Sequence, residues 1–178
     1  MILINNFSGL NDYVKKILRK ILNSDDLCKL IYYDIKDISD KKITNEQKLT
    51  MINGDKKDRR IFPYPFIPGT TVEAKTVLSF YFDRLRLARN NKEFNFGEII
   101  FDIFLHEDIW LMEDFEVRVY SIMSEIDKIF NNTDELGIGR LQLDSQFGLT
   151  YLPPFSQNST FYGYRLRYIN YDFNKVKK

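Results

Sequence analysis

The chain has 178 residues, of which 44% are hydrophobic and 29% are charged, a composition that excludes a disordered or fibrous protein. The 26 Lys and Arg residues nearly balance the 25 Asp and Glu residues, so no global field favours nucleic acid or membranes. The single cysteine, Cys28, excludes an internal disulfide and favours a reducing compartment. No stretch of about 18 apolar residues is present, and the first residues lack the pattern of a secretory signal. We therefore expect one domain over residues 1–178, made in a cytoplasm.

Two helices are predicted at the amino-terminal end. Apolar residues recur at helical spacing from Leu10 to Leu22, with Ser8 or Asn11 available as the N-cap. A second, short helix is predicted to begin after Ser24 and to end by Tyr33, with acidic residues in its first turn, where negative charge suits the helix dipole.

The segment from Asp34 to Arg60 is the least core-like part of the chain. It carries charges of both signs and few large apolar residues, and one helical turn is a candidate from Asn45 to Met51. A connection of this length is above the usual range. Two interpretations stay open: an arm that orders against another subunit, or a surface insertion.

The next segment, Ile61 to Pro68, reads IFPYPFIP. Proline fixes φ and lacks a donor, so this segment is predicted to be extended but not to form the centre of a sheet. It leads into the longest feature of the sequence.

Two long strands joined by a polar loop are predicted from Thr71 to Trp110. Apolar and polar residues alternate along the first arm, and this alternation changes face after Asp83, which predicts a bulge near Asp83 and Arg84. The connector from Asn90 to Asn95 suits an exposed hairpin tip. At about 3.3 Å per residue each arm approaches about 40 Å. We therefore expect a hairpin that projects or pairs beyond the core.

Past the hairpin, the strongest helix pattern runs from Glu116 to Phe130, with Asp114 as a candidate cap. Alternation returns from Gly137 to Asp144, residues 146–160 are predicted to be a loop, and FYGYRLRYINYDF is predicted to be the last strand. Helices are thus segregated from antiparallel strands. The predicted class is α+β: a mainly antiparallel sheet with a long hairpin, one helix packed on it and amino-terminal helices.

The sequence offers little reaction chemistry. His106 has only oxygen donors near it in sequence, so we interpret it as structural rather than as a metal ligand. Glu73-Ala-Lys75 resembles the Glu-x-Lys element of restriction-type nucleases, but Pro68 is followed by Gly69 and not by an acidic residue. The phosphate-loop, dinucleotide and nucleophile-elbow motifs are absent from the sequence. We predict no catalytic residue, no metal and no cofactor.

Basic residues lie among aromatic residues in two regions, around Arg84 and around Arg165. Such surfaces stack bases and hold phosphates in some nucleic-acid-binding proteins. Aromatic residues at a period of two are more often sheet core. A nucleic-acid-binding module therefore stays open as an alternative.

The order of elements resembles a phage tail terminator or tail-completion protein. The resemblance rests on an amphipathic amino-terminal helix, the lead-in IFPYPFIP, a hairpin ending IIFDIFLHEDIW, the helix EVRVYSIMSEIDKIFN, and then GIGRLQL and FYGYRLRY. It implies a virion protein that forms a ring, six-fold by expectation, at the head-proximal end of the tail tube. There it would stop tube growth and join the tail to the neck. Its partners would be its own copies, the tail tube protein and the neck proteins.

The resemblance also implies roles for particular residues. Contacts to other subunits or partners are expected at Glu73, Lys75, Tyr81 and Trp110. A lumen through which DNA passes is expected to be lined by Arg84, Arg86, Arg89, Arg165 and Arg167. The long 34–60 and 146–160 segments exceed what a minimal terminator needs, so a head-closure or stopper protein of the neck is the alternative. No membrane partner is expected.

Overall fold

The computed structural model of the chain describes residues 9–69, 73–87, 94–113 and 115–170. Its helices are α1 (Leu10–Asn23), α2 (Asp25–Tyr32), α3 (Asn45–Asn53) and α4 (Arg118–Phe130). Its strands are β1 (Ile61–Phe62), β2 (Thr76–Leu87), β3 (Phe94–His106), β4 (Gln142–Leu143), β5 (Leu149–Leu152) and β6 (Phe161–Asn170). A short 3-10 helix, Glu107–Ile109, follows β3. Four helices and a mostly antiparallel sheet of six strands confirm the predicted α+β class.

The predicted hairpin of two long strands is present, and it forms the centre of the sheet. β2 and β3 pair antiparallel from Thr76 opposite Leu105 to Leu87 opposite Phe94. β6 pairs antiparallel with the other side of β3, and β4 and β5 both pair with the outer side of β6. β1 pairs in parallel with the start of β2. The predicted tip of the hairpin lies largely outside the described residues.

A bulge in β2 confirms the change of face that the sequence predicts. The register between β2 and β3 shifts between Asp83 and Arg86, and Arg84 has a φ of 47°. The Arg84 N–H donates to Asp83 Oδ1 at 2.9 Å, which supports this left-handed conformation locally. The extra residue is the reason why the apolar positions of β2 change parity after Asp83.

Helices α1, α2 and α4 pack on one face of the sheet, which we call the helix face. Its centre is Phe101 of β3, whose ring centroid lies 4.8 Å from that of Phe130 of α4, 5.9 Å from that of Tyr168 and 6.0 Å from that of Phe80. All four side chains are fully buried. Burial of each large apolar side chain contributes about 1.5–3 kcal/mol, so this contact is a major source of stability. No helix in the described part of the chain has the length and apolar character needed to cross a membrane.

The proline-rich segment runs along the other face of the sheet, which we call the opposite face. The Ser79 hydroxyl donates to the Tyr64 carbonyl at 2.7 Å and accepts from the Phe66 N–H at 3.2 Å. The rings of Phe62 and Phe66 stack with centroids 3.7 Å apart and cover a second, smaller core. β1 has only two residues and lies at the edge of the sheet, as the prolines predict.

The 34–60 segment, for which an arm or an insertion was expected, contains helix α3. A complete capping box starts this helix, because the Thr44 hydroxyl accepts from the Gln47 N–H and the Gln47 side chain accepts from the Thr44 N–H. Met51 of α3 is fully buried. Arg60 donates two hydrogen bonds to the Asp34 carboxylate, at 2.6 and 2.7 Å, and so joins the two ends of the segment.

Helix α4 begins at Arg118, two residues later than predicted. Its N-cap, Val117, provides no side-chain hydrogen bond, and the predicted cap, Asp114, lies outside the described residues. Likewise α1 follows Gly9 without a side-chain cap, and Ser8 is not described. The predicted loop at 146–160 contains β5, and the alternation at 137–144 yields only the short β4. Leu149–Leu152 lies between Gly148 and Pro153, and such bounding residues are typical of a short strand. The prolines that follow led instead to the prediction of a loop.

The side chain of Arg118 is fully buried, although it forms no salt bridge with any carboxylate of the described residues. Its guanidinium donates to the carbonyls of Ile109 at 3.0 Å, Leu30 at 3.1 Å and Tyr33 at 2.6 Å, and it also donates to the Ile35 carbonyl. Burial lowers the pKa of Arg118. The side chain thus joins the end of α2, the 33–35 turn and the end of the 3-10 helix to the start of α4.

We expect Arg118→Met to lower the free energy of unfolding by about 3 kcal/mol or more, because a buried acceptor left without its donor costs about 1–3 kcal/mol. Urea unfolding followed by circular dichroism measures this loss. The matched control is Arg19→Met on the exposed face of α1, which should change stability by less than about 0.5 kcal/mol. Equal effects of the two substitutions would contradict the assigned role of Arg118.

Candidate interaction surface

A group of aromatic side chains lies on the helix face beside the start of α4. The rings of Trp110 and Tyr162 stack with centroids 4.5 Å apart, and Tyr164 lies 6.4 Å from Trp110. Tyr120 of α4 and Tyr151 of β5 approach Tyr164 at 5.9 and 5.7 Å. We call these five residues the aromatic surface.

Backbone contacts place the aromatic surface, and part of it faces solvent. The Arg118 N–H donates to the Trp110 carbonyl at 2.8 Å, which fixes Trp110 relative to α4. Tyr120 and Tyr151 remain 52% and 51% exposed. A hydrogen bond with Tyr120 raises the pKa of Tyr164. Rigid tyrosines and a tryptophan that are exposed together are typical of protein interfaces.

The close approach of β6 to β3 depends on Gly163. A Cβ at this position would lie 1.7 Å from the Ile103 carbonyl oxygen, a distance that no side chain tolerates. Gly163 stands opposite Phe104 in the register and leaves room for that ring on the opposite face. The tyrosines on either side of Gly163, Tyr162 and Tyr164, point to the helix face and join the aromatic surface.

The opposite face carries a row of paired charges across β2, β3 and β6. Arg165 donates from Nε to Asp102 Oδ1 at 2.6 Å and from Nη2 to Asp102 Oδ2 at 2.9 Å. The Tyr81 hydroxyl donates to Asp102 Oδ2 at 3.2 Å and accepts from Arg165 Nη2 at 3.0 Å. Asp102 is only 4% exposed and neutralises Arg165, so this bidentate pair leaves no unpaired charge for a ligand.

A second carboxylate continues this row. Glu98 is 3% exposed and lies between two arginines, with Oε2 3.5 Å from Arg167 Nη1 and Oε1 3.7 Å from Arg84 Nη1. Both contacts are ion pairs, and Glu98 Oε2 has no hydrogen-bond partner. The guanidinium of Arg167 also lies 5.9 Å from the ring centroid of Phe147. We call Tyr81, Asp102, Arg165, Glu98 and Arg167 the polar row.

The structure separates the four residues predicted as contacts. Trp110 belongs to the aromatic surface, whereas Tyr81 belongs to the polar row on the other side of the sheet. Glu73 is exposed just before β2, and Lys75 is buried and donates to the Lys56 carbonyl at 3.2 Å. Burial and, secondly, the charge of Arg60 lower the pKa of Lys75.

Of the five arginines predicted to line a lumen, three meet at the polar row. Arg84, Arg165 and Arg167 each pair with a buried carboxylate. Arg86 is exposed on β2 and Arg89 lies outside the described residues. Pairing of this kind depends on the register of β2, β3 and β6, which sequence periodicity does not give.

Residues with reaction chemistry have structural partners. His106 is buried, and its Nδ1 accepts from the Asp108 N–H at 3.3 Å at the start of the 3-10 helix. Burial raises the pKa of the Cys28 thiol to about 12. Within the described ranges, no three His, Cys, Asp or Glu side chains are placed to hold a metal ion.

An open groove of about 600 Å³ lies between α2, α4 and the turns near Ile38 and Met112. Carboxylates and lysines both line it, and several pair with each other, as Lys29 does with Asp26 at 2.9 Å and Lys128 with Glu125 at 2.5 Å. These pairs leave no convergent set of charges for one ligand. The aromatic surface is therefore the stronger candidate for a functional contact.

A family model described as YomW matches residues 24–170, which include all the strands, the aromatic surface and the polar row. No curated protein and no solved structure matches the chain.

The polar row predicts loss of stability at high pH. Burial and, secondly, the charge of Asp102 raise the pKa of Tyr81 from 10.0 to about 12. A raised folded-state pKa means that stability is complete below pH 10 and is lost as the pH rises through about 12. We expect Tyr81→Phe to weaken this loss, as measured by urea midpoints from pH 8 upward. If the urea midpoint falls equally at high pH in the wild-type protein and in Tyr81→Phe, Tyr81 is excluded as the cause of the loss of stability.

Proposed function

We propose that this chain, which belongs to the phage-derived YomW family, is a tail terminator. On this proposal, copies of the chain form a ring at the head-proximal end of the tail tube. The ring stops tube polymerisation and provides the surface to which the neck attaches. The observation that carries the proposal is the aromatic surface, which a phage structural subunit would use to contact its neighbours.

The chemistry of the aromatic surface supports a contact with protein. Tyr and Trp are enriched at the centres of interfaces, where they supply apolar area at a low cost in conformational entropy. Trp110 and Tyr162 are half-buried and held by stacking, whereas Tyr120 and Tyr151 present their rings to solvent. Because the half-buried rings hold the exposed rings in place, the aromatic surface is pre-organised for binding. Pre-organisation lowers the entropic cost of association.

The hairpin also supports assembly. β2 and β3 have 12 and 13 residues, about twice the length of an average strand. Its distal half extends past the short β1 strand, which pairs with β2 only at Leu78 and Ser79. A long hairpin of this kind reaches a neighbouring subunit in a ring, where a head-to-tail contact closes if its rotation permits.

The polar row is consistent with a wall along which DNA moves. Asp102 and Glu98 neutralise Arg165 and Arg167, so the row would not hold phosphates tightly. A channel through which a genome passes needs weak contacts of this kind. The same pairing weighs against a module that binds nucleic acid through these arginines.

The test is to add the purified protein to polymerising tail tube protein of the same phage and to image the tubes by negative-stain electron microscopy. We expect a collar at one end of each tube and an arrest of tube growth, because a terminator occupies the growing end. Multi-angle light scattering gives the mass of any ring that forms in solution.

Two matched variants connect this activity to the aromatic surface. Tyr120→Ser removes a 52% exposed ring from the surface, and Tyr64→Ser removes a 45% exposed ring on the opposite face. We expect the first to weaken capping by about tenfold or more, since loss of an interface aromatic costs about 2 kcal/mol at a hot spot. The second should cap normally.

Other outcomes would replace the proposal. Binding to a neck protein without any effect on tubes would assign the chain as a head-closure or stopper protein. A monomer that binds DNA with a steep dependence on salt, and ignores tubes and neck proteins, would favour the nucleic-acid-binding module.

A further inference from the structure

Strand β5 has one side uncovered. It pairs with β6, from Leu149 opposite Leu166 to Leu152 opposite Gly163, and in the described part of the chain no strand lies along its outer side. Gly148 O accepts from the Arg167 N–H, and bonding residues alternate along an antiparallel pair, so Thr150 bonds to β6. The backbone N–H and C=O groups of Leu149 and Tyr151 therefore point outward, away from the sheet.

This edge lacks two protective features of the other edge, a bulge and exposed charges within the strand. β1 has only two residues and is followed by prolines, and β2 carries a bulge and the exposed charges of Arg84 and Arg86. Short strands, prolines, bulges and charges are the usual devices that prevent edge-to-edge pairing. The residues from Phe147 to Leu152 include no charge and no proline, and Leu149 and Tyr151 are more than half exposed. Pro153 and Pro154 limit any such pairing to Leu149–Leu152, and within those four residues no charge and no proline opposes pairing with another copy of the strand.

We propose that two copies of the chain pair through β5 as antiparallel strands related by a two-fold axis at Thr150. The outward backbone groups are compatible with this register, in which Leu149 lies opposite Tyr151 of a second copy and the backbone groups of both residues are paired. On the helix face, the register places leucine against tyrosine twice. On the opposite face it places threonine against threonine. Both are favourable cross-strand pairs, so the strand is self-complementary.

This contact deepens the proposed function and, in its consequence for assembly, rests on it. Tyr151 belongs both to the edge and to the aromatic surface. A second copy at β5 therefore covers part of the surface that the tail tube would contact. The two-fold dimer would be the free form of the protein, and it must open before a ring forms on a tube.

Cysteine cross-linking tests the register. In the two-fold pair, Thr150 faces its own counterpart at a non-hydrogen-bonded position, where Cβ atoms lie about 4.5 Å apart and a disulfide forms after a small shift. We expect Thr150→Cys to give a disulfide-linked dimer on mild oxidation. Leu149→Cys, on the same strand and also exposed, should give at least about tenfold less disulfide-linked dimer. The reason is that position 149 faces Tyr151 of the second copy and not position 149. Native Cys28 is fully buried and should not react.

Light scattering provides a measurement that does not depend on oxidation. We expect a mass of about twice 21.3 kDa for the free protein. Tyr151→Lys places a charge on the edge and should give the monomer, whereas Tyr64→Lys, at a 45% exposed position beside β2 near the other edge of the sheet, should leave the dimer intact. Circular dichroism establishes that both variants are folded.

Three results would overturn the two-fold contact: a free monomer whose Thr150→Cys variant does not cross-link, equal cross-linking at positions 149 and 150, or rings in solution without a Thr150→Cys dimer. None of them decides whether the protein caps tubes, since capping is scored on the tube ends. Failure of capping with a confirmed dimer would in turn reject the terminator function and leave the β5 contact standing.

Discussion

The buried guanidinium of Arg118 is the interaction on which the arrangement of helices and sheet depends. A cation without a carboxylate partner is costly to bury, and here backbone carbonyls provide the compensation. Leu30 and Tyr33 lie at the end of α2, where the carbonyls of a helix carry partial negative charge and favour a cation. The nearby carboxylate of Asp34 also favours the charged form of the guanidinium. Elements that are distant in sequence are thus held by one side chain.

The aromatic surface follows from this interaction. The guanidinium of Arg118 binds the Ile109 carbonyl next to Trp110, and the Arg118 backbone N–H donates to the Trp110 carbonyl itself. Tyr120 stands two residues further along the same helix. The ring of Tyr120 consequently meets Tyr164 of β6, on a strand that α4 crosses. A surface built in this way is rigid because its members are fixed by buried contacts behind it. Its exposed rings add little to folding, and a group of exposed aromatic rings at one place is typical of a surface that contacts another protein.

Much of the fold could be predicted from local periodicity, since alternation and helical spacing are properties of consecutive residues. The bulge at Arg84 is the clearest case, because a change of parity has few other physical causes. Arg118 could not be foreseen, since an arginine in a first helical turn is ordinarily solvated. The pairing of Arg165 with Asp102 requires the register of β3 and β6, and these residues are far apart in sequence. Strand β5 was missed because it has only four residues and two prolines follow it.

The candidate contacts differ in what they demand of a partner. On our proposals, the aromatic surface would bind through side chains and accept a complementary apolar surface, whereas the β5 edge would bind through backbone groups and require an extended strand. On our proposals, Tyr151 makes the two contacts exclusive.

If both proposals hold, a tube end would displace the β5 dimer although a single tube subunit would not. A dimer with a dissociation constant of about 1 μM has a binding free energy of about 8 kcal/mol. One tube subunit that binds the chain with similar affinity would only equal this free energy and would not displace the dimer. A completed ring of tube subunits offers several identical sites at once, and linked contacts raise the effective concentration of each. On these proposals the chain would be released from its dimer where a tube ring already exists. It would remain inactive where only free subunits are present.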